Sequence, residues 1–130
     1  MLTVVAGLLV SDGRILACRR RSDQDHASKW EFPGGKVEPG EDPRDALVRE
    51  LREELRIEAT LGDEFMRYEF GYAGKEPIEL IFYWVETYDG ALNDEFFAET
   101  KWVVPGGLVS LDFLEGDARV VAELASRPLG

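Results

Sequence analysis

The chain carries a single cysteine, Cys18, which rules out an internal disulfide and a thiolate metal cluster and fits a reducing compartment. Positive charge is scarce: 15 Lys and Arg stand against 26 Asp and Glu, for a net charge of -11. A duplex is held by clustered Lys and Arg, so this balance argues against a nucleic acid polymer as partner. No stretch approaches the roughly 18 apolar residues of a membrane span. The apolar opening MLTVVAGLLV has neither a basic leader region nor a small-residue cleavage pattern, and it runs into SDGR after ten residues. It reads as a buried strand, and the expected location is cytoplasmic. Repeats, linkers and low-complexity tracts are also missing.

What is present suits one globular domain spanning 1–130, with 45% hydrophobic and 32% charged residues. Residues 2–10 and 14–20 flank Asp12-Gly13, a hairpin-turn pair. A loop, RRRSDQDHASK, leads to a short strand at 30–32. PGGKVEPGEDP, with three prolines and three glycines, is expected to be irregular, its glycines allowing close backbone approach to a ligand. Asp42 and Pro43 look like an N-cap and first helical position, Asp45 takes the capping-box place, and a helix over 43–55 follows. EFMRYEFGY and PIELIFYWVET form a second strand pair around AGKE, TKWVVP one more strand, and EGDARVVAELAS a C-terminal helix with Val120, Val121 and Leu124 inward. Strands before, between and after two helices suggest a mixed sheet sandwiched by helices, an α+β fold of α/β/α type.

The helix over 43–55 gathers like charge. At about 100° per residue, Glu50, Glu53 and Glu54 share one face, while Leu47, Leu51 and Leu55 occupy the neighbouring arc and turn to the core. The acids therefore border the buried stripe. Their mutual repulsion costs about a few tenths of a kcal/mol per pair, and a divalent cation would reverse the sign, because hard oxygen ligands suit Mg²⁺ or Mn²⁺. The alternative on the helix alone is a solvated face laced by Arg49 and Arg52. Gly34 and Gly35, delivered just before the helix, add backbone groups beside the carboxylates, a place where metal and phosphate are coordinated together.

Gly35, Glu41 and then RELREEL from Arg49 to Leu55 together resemble the Nudix box, and the resemblance to MutT-type members extends over nearly the whole chain, through RRRSDQDHASKWEFPGGK, IELIFYWVE and FLEGDARVV. One departure is that Arg56 stands where the family has a glycine, which usually ends the helix in a left-handed conformation. The resemblance implies a Nudix-type α/β/α sandwich and hydrolysis of a nucleoside diphosphate linked to another group. For MutT-like members this is a nucleoside triphosphate cut to monophosphate and pyrophosphate with Mg²⁺ (or Mn²⁺). It also implies roles. Glu53, Glu54 and the Gly34 carbonyl are metal ligands; Glu50 is the candidate general base and also a metal contact; Arg49 orients a carboxylate; Lys36 meets a phosphate; Glu41 is secondary. A further acid from the later loop, Glu95 or Glu99 with Glu99 preferred, would join the metal, against the alternative of a solvated loop acid.

By the same resemblance the base lies by the turn formed by Glu31, Phe32, Pro33, Gly34 and Gly35, and Asp117 at the start of the last helix reads it, where MutT has an amide. A carboxylate only accepts, which favours a base edge offering N–H groups, such as cytosine or guanine, unless it is protonated. The alternatives are a core role for Phe32 and an ordinary helix N-terminal acid for Asp117. Arg20 matches a substrate-contacting arginine, and Arg19 and Arg21 beside it make a cationic patch. His26 in the same loop reads as a surface residue. The expectation is thus a pyrophosphohydrolase of oxidised or modified nucleotides such as 8-oxo-dGTP, or of cytidine nucleotides, binding a small-molecule nucleotide as monomer or homodimer. Rival readings are an ADP-ribose or dinucleoside pyrophosphatase, a nucleotide sensor of the same fold without turnover, and a calcium-binding structural module, which the placement of the acids on a helix face disfavours.

Overall fold

The computed structural model describes residues 1–127 and contains seven strands and two α-helices. Strand β1 (Thr3–Ser11) turns through Asp12 and Gly13, both left-handed at φ 53° and 74°, into β2 (Arg14–Arg19). The expected hairpin is therefore present, but only Val10 and Ser11 pair with β2. Along its other edge β1 runs parallel to β6 (Ile78–Asp89), from Thr3 beside Glu79 to Leu9 beside Val85. Strand β6 pairs in turn with β5 (Glu58–Phe70).

The first half of β1 is left for another partner. Strand β4 (Gly34–Lys36) takes it, pairing antiparallel with Val4, Val5 and Ala6. Residues 34–36 are thus a strand and not irregular: the glycines do allow close approach, but to backbone. A Cβ on Gly34 would lie 2.0 Å from the Val5 carbonyl oxygen. At the point where β1 changes partner from β4 to β2, the Gly7 N–H donates to the Pro33 carbonyl at 2.8 Å. The sheet forks there. Strands β3 (Trp30–Glu31) and β7 (Glu99–Val103) complete the arm built on β2.

Strand β5 begins six residues earlier than its aromatic run suggested. Gly62 and Asp63 interrupt it as turn residues do in sequence, and the structure absorbs them as bulges between Thr60 and Met66. Two short 3-10 turns, Pro105–Ser110 and Glu115–Asp117, lead into the last helix, so that helix starts at Ala118 and not at Glu115.

Helix α1 (Pro43–Leu55) has the bounds its sequence signals require. The Asp42 side chain accepts from the Arg44 N–H at 2.8 Å, Pro43 needs no partner for its nitrogen, and Arg56 ends the helix in the left-handed region at φ 57°, its N–H reaching the Arg52 carbonyl. Ala46, Leu47, Leu51 and Leu55 bury against Val5, Leu9, Ile81 and Val85; each buried leucine contributes about 1.5–3 kcal/mol. Alternate residues of the same strands, including Ala6, Leu8 and Phe82, point to the other face and pack with Val120, Val121 and Leu124 of α2 (Ala118–Ala125). The layers are helix, mixed sheet, helix, as expected. No helix among the described residues is long and apolar enough to cross a membrane.

Candidate active site

Helix α1 lies along the fork, and its acidic border faces β4. The helix wheel treats Glu50, Glu53 and Glu54 as one group; packing separates them. Glu54 is turned inward, where one carboxylate oxygen accepts from the Gly34 N–H at 3.2 Å. Burial, then repulsion from Glu31 and Glu50, pushes its carboxyl up to about 9. Glu50 is half-buried beneath Gly35, and burial also raises its affinity for a proton, against the pull of Arg49. A Cβ on Gly35 would fall 2.5–2.7 Å from the Glu50 carboxylate atoms. Glycine at 35 is therefore required for Glu50 to occupy this position. Glu53 is the most exposed, its side chain 57% accessible.

Arg49 is the hub of the outer half. Its Nε and Nη2 donate to both oxygens of Glu41 at 2.9 and 3.0 Å, its Nη1 to Glu50 at 2.9 Å and more weakly to Glu53 at 3.4 Å, and its Nη2 also to the Lys36 carbonyl at 3.1 Å. Its bidentate contact holds the Glu41 carboxyl down at about 2. Glu41 is thus a fixed anchor for Arg49, and Arg49 in turn orients Glu50. The Lys36 side chain makes no ion pair among the described residues and lines the neighbouring cavity.

Glu31 joins this half of the site to the next. Its carboxylate pairs with Arg20 at 3.0 and 3.2 Å, and burial raises its proton affinity despite that partner. Beyond it opens a cavity of about 860 Å³, lined mainly by apolar side chains and by Arg20, Glu31, Phe32, Gly34, Gly35, Lys36 and Asp117. Asp117, part of this lining, is only 6% exposed. Burial first and Glu31 second push its carboxyl up to about 8, with the Phe32 backbone and Arg20 pulling the other way. Phe32 is itself 3% exposed and packs edge-on against Phe82, so it is a core residue with one side on the cavity. Pro33 contributes its carbonyl to the fork.

Other expected residues are placed elsewhere. Glu99 sits on β7 opposite Arg19, with which it pairs at 3.3 Å, and also meets Lys101; no contact joins it to the helix carboxylates. Glu95 is exposed, its N–H held by the Asn93 side chain. The arginine patch does not form either, because Arg19, Arg20 and Arg21 are paired separately with Glu99, Glu31 and Asp23. Two features escaped sequence reasoning. Cys18 is fully buried, and burial first, then the charges of Glu31, Glu54 and Asp94, raise its thiol. Tyr68 and Tyr72 bond to Gly116, next to Asp117; their alternation along EFMRYEFGY marks a strand face and says nothing of a partner so distant in sequence.

No three Asp, Glu, His or Cys side chains among the described residues stand gathered as a finished cation site. The donor chemistry nevertheless fits a hard divalent cation. Glu54 is buried beside two other carboxylates with one backbone N–H as its only hydrogen-bond donor among the described residues, a state that a cation would relieve.

The comparisons with known proteins agree with this architecture. The model of the NUDIX domain matches residues 1–124. The chain is 43% identical to the CTP pyrophosphohydrolase of Escherichia coli K12 over 105 residues, 81% of this chain and 77% of that one. It is 35% identical to the 8-oxo-dGTP diphosphatase of Haemophilus influenzae over 125 residues, 95% of this chain and 91% of the relative. Among solved structures, that of the E. coli ORF135 protein superposes with a TM-score of 0.84 at 37% identity, covering all of this chain and 95% of that one. With the box residues on the loop and helix that the fold brings together, and a family model spanning almost every described residue, the chain belongs to the Nudix hydrolase family.

Proposed function

We propose that the protein is a Mg²⁺- or Mn²⁺-dependent nucleoside triphosphate pyrophosphohydrolase that cuts its substrate to a nucleoside monophosphate and pyrophosphate, with cytidine or oxidised guanine nucleotides as the substrate class. The observation that carries this reading is the buried Glu54 carboxyl, crowded by Glu31 and Glu50 and bonded to Gly34, at the edge of a largely apolar cavity of about 860 Å³ that Asp117 also lines. The relatives named for CTP and 8-oxo-dGTP support the substrate class.

Glu53, Glu54 and the Gly34 carbonyl are the proposed metal ligands, with Glu50 adjoining them. When bound, the ion neutralises these carboxylates and the polyphosphate together and stabilises charge on the phosphoryl oxygens in the transition state. The chain's own groups do the rest. The Glu50 carboxylate, held by Arg49 through one oxygen and raised in basicity by burial, takes the proton of the attacking water. The water oxygen bonds to phosphorus as the bond to the pyrophosphate oxygen breaks. Lys36 neutralises a phosphate at the cavity rim, and the chain from 31 to 35 with Asp117 holds the base. Glu99, already paired with Arg19, has no part in this scheme.

The test is pyrophosphate release from a panel containing CTP, 5-methyl-dCTP, 8-oxo-dGTP and ADP-ribose at equal concentration, with and without Mg²⁺. Turnover of a triphosphate that requires the ion and collapses in a folded Glu53→Gln variant is expected. Binding of nucleotide with no hydrolysis at saturating Mg²⁺ and Mn²⁺ would replace this reading with that of a sensor, and preference for ADP-ribose would replace the substrate class.

A further inference from the structure

Asp117 sits in a three-residue 3-10 turn, whose own backbone bonds run from the Asp117 N–H to the Leu114 carbonyl and from the Ala118 N–H to the Glu115 carbonyl. Gly116, just before it, is held by two tyrosines, Tyr68 on β5 and Tyr72 just after that strand. The Tyr72 hydroxyl accepts from the Gly116 N–H at 3.1 Å, and the Tyr68 hydroxyl donates to the Gly116 carbonyl. Both polar groups of the buried residue immediately before Asp117 are thereby held by side chains more than forty positions away in sequence. Glycine at 116 is what admits them: a Cβ there would lie 2.6 Å from the Tyr72 oxygen and 3.2 Å from Leu80 Cδ1.

Tyr72 makes a third connection. Its ring packs on His26 at 4.9 Å between centroids, and His26 belongs to the loop from β2 to β3, whose Asp25 carbonyl accepts from Arg20 Nε at 2.7 Å. Tyr72, His26, Arg20 and Asp117 all line the same cavity. One side chain therefore ties the turn after β5, the loop before β3 and the turn carrying Asp117 around a common opening.

We propose that Tyr72 is a positioning residue for nucleobase selection: by holding Gly116 it fixes the direction of the Asp117 carboxyl, and by packing on His26 it sets the width of the cavity mouth. This rests on the nucleotide reading above. Hydrogen-bond readout falls off steeply with angle and distance, whereas stacking in an apolar cavity tolerates displacement. Loosening Gly116 therefore penalises the bases that Asp117 reads and spares those held by stacking and phosphate alone.

Equilibrium binding of CMP, GMP, AMP and UMP, measured by calorimetry without metal, tests this independently of turnover. In Tyr72→Phe the ratio of Kd between the weakest and tightest base is expected to shrink about fivefold, the loss of one neutral hydrogen bond. Gly116→Ala, which displaces the phenol from the other side, should do the same, and neither change should alter the ratio further in an Asp117→Asn background. Equal weakening of all four nucleotides, an unchanged ratio in both variants while they still unfold cooperatively, or a wild type that binds all four alike would overturn the proposal. If the ratios move as expected but no triphosphate is hydrolysed, the pyrophosphohydrolase reading fails and the role of Tyr72 stands.

Discussion

Replacing Asp117 by asparagine exchanges a buried acid for a neutral side chain of the same shape, and the consequence for stability depends on pH in a direction that can be worked out. In the folded chain the carboxyl is raised from its ordinary 3.8 to about 8. Between those values the folded state holds a proton that the unfolded state releases, so stability falls as pH rises through this window. The stability of the protonated form is fully present below the unfolded value and is lost as pH climbs through the folded one. At 1.36 kcal/mol for each tenfold in proton affinity, the full difference is on the order of 5 kcal/mol, an upper bound because water entering the cavity screens the ionised group. Asparagine carries no such penalty. Urea unfolding of both proteins at pH 4, 6 and 8 should show little difference at pH 4 and an advantage for Asp117→Asn that widens to at least about 2 kcal/mol at pH 8. A difference independent of pH, or one favouring the wild type more as pH rises, would refute the view that Asp117 is buried beside Glu31 without adequate countercharge.

Four further outcomes follow from the geometry of α1 and its partners. Gly35→Ala places a methyl group 2.5 Å from the Glu50 carboxyl carbon; because that is the end of a flexible side chain, the melting temperature should change little while kcat falls about 10- to 100-fold, the usual cost of misplacing an oriented ligand. Arg56→Gly relieves a left-handed residue at φ 57° and should stabilise the protein by about 1 kcal/mol in urea unfolding; a loss of stability would mean that the arginine side chain contributes more than its backbone costs. Mg²⁺ at about 100 times its Kd should stabilise the wild type by about 2.7 kcal/mol. Glu54→Gln, which removes a buried acid raised to about 9, should be more stable than the metal-free wild type at neutral pH and lose the Mg²⁺ response in calorimetry, and an unaltered response would exclude Glu54 as a ligand.

Local sequence was sufficient where the physics is local. The bounds of α1 follow from an Asp42 cap, a proline that needs no hydrogen-bond partner and a leucine stripe at helical spacing, all within fourteen residues. The Asp12-Gly13 turn and the spaced acids of the box are legible for the same reason. What tertiary structure decided involves groups distant along the chain. Residues 34–36 are a strand because β2 pairs with only the end of β1 and leaves the first half of that edge unpaired, a fact contained in β1 and β2 and not in the glycines. Glu54 and Asp117 differ from ordinary acids because the fold buries them and, second, because it sets Glu31 near both. Arg19, Arg20 and Arg21 look like one cationic patch in sequence, yet strand alternation and the loop send them to three separate acids. A charge acquires its energy from its distance to other charges and to water, and those distances exist only after the chain has closed.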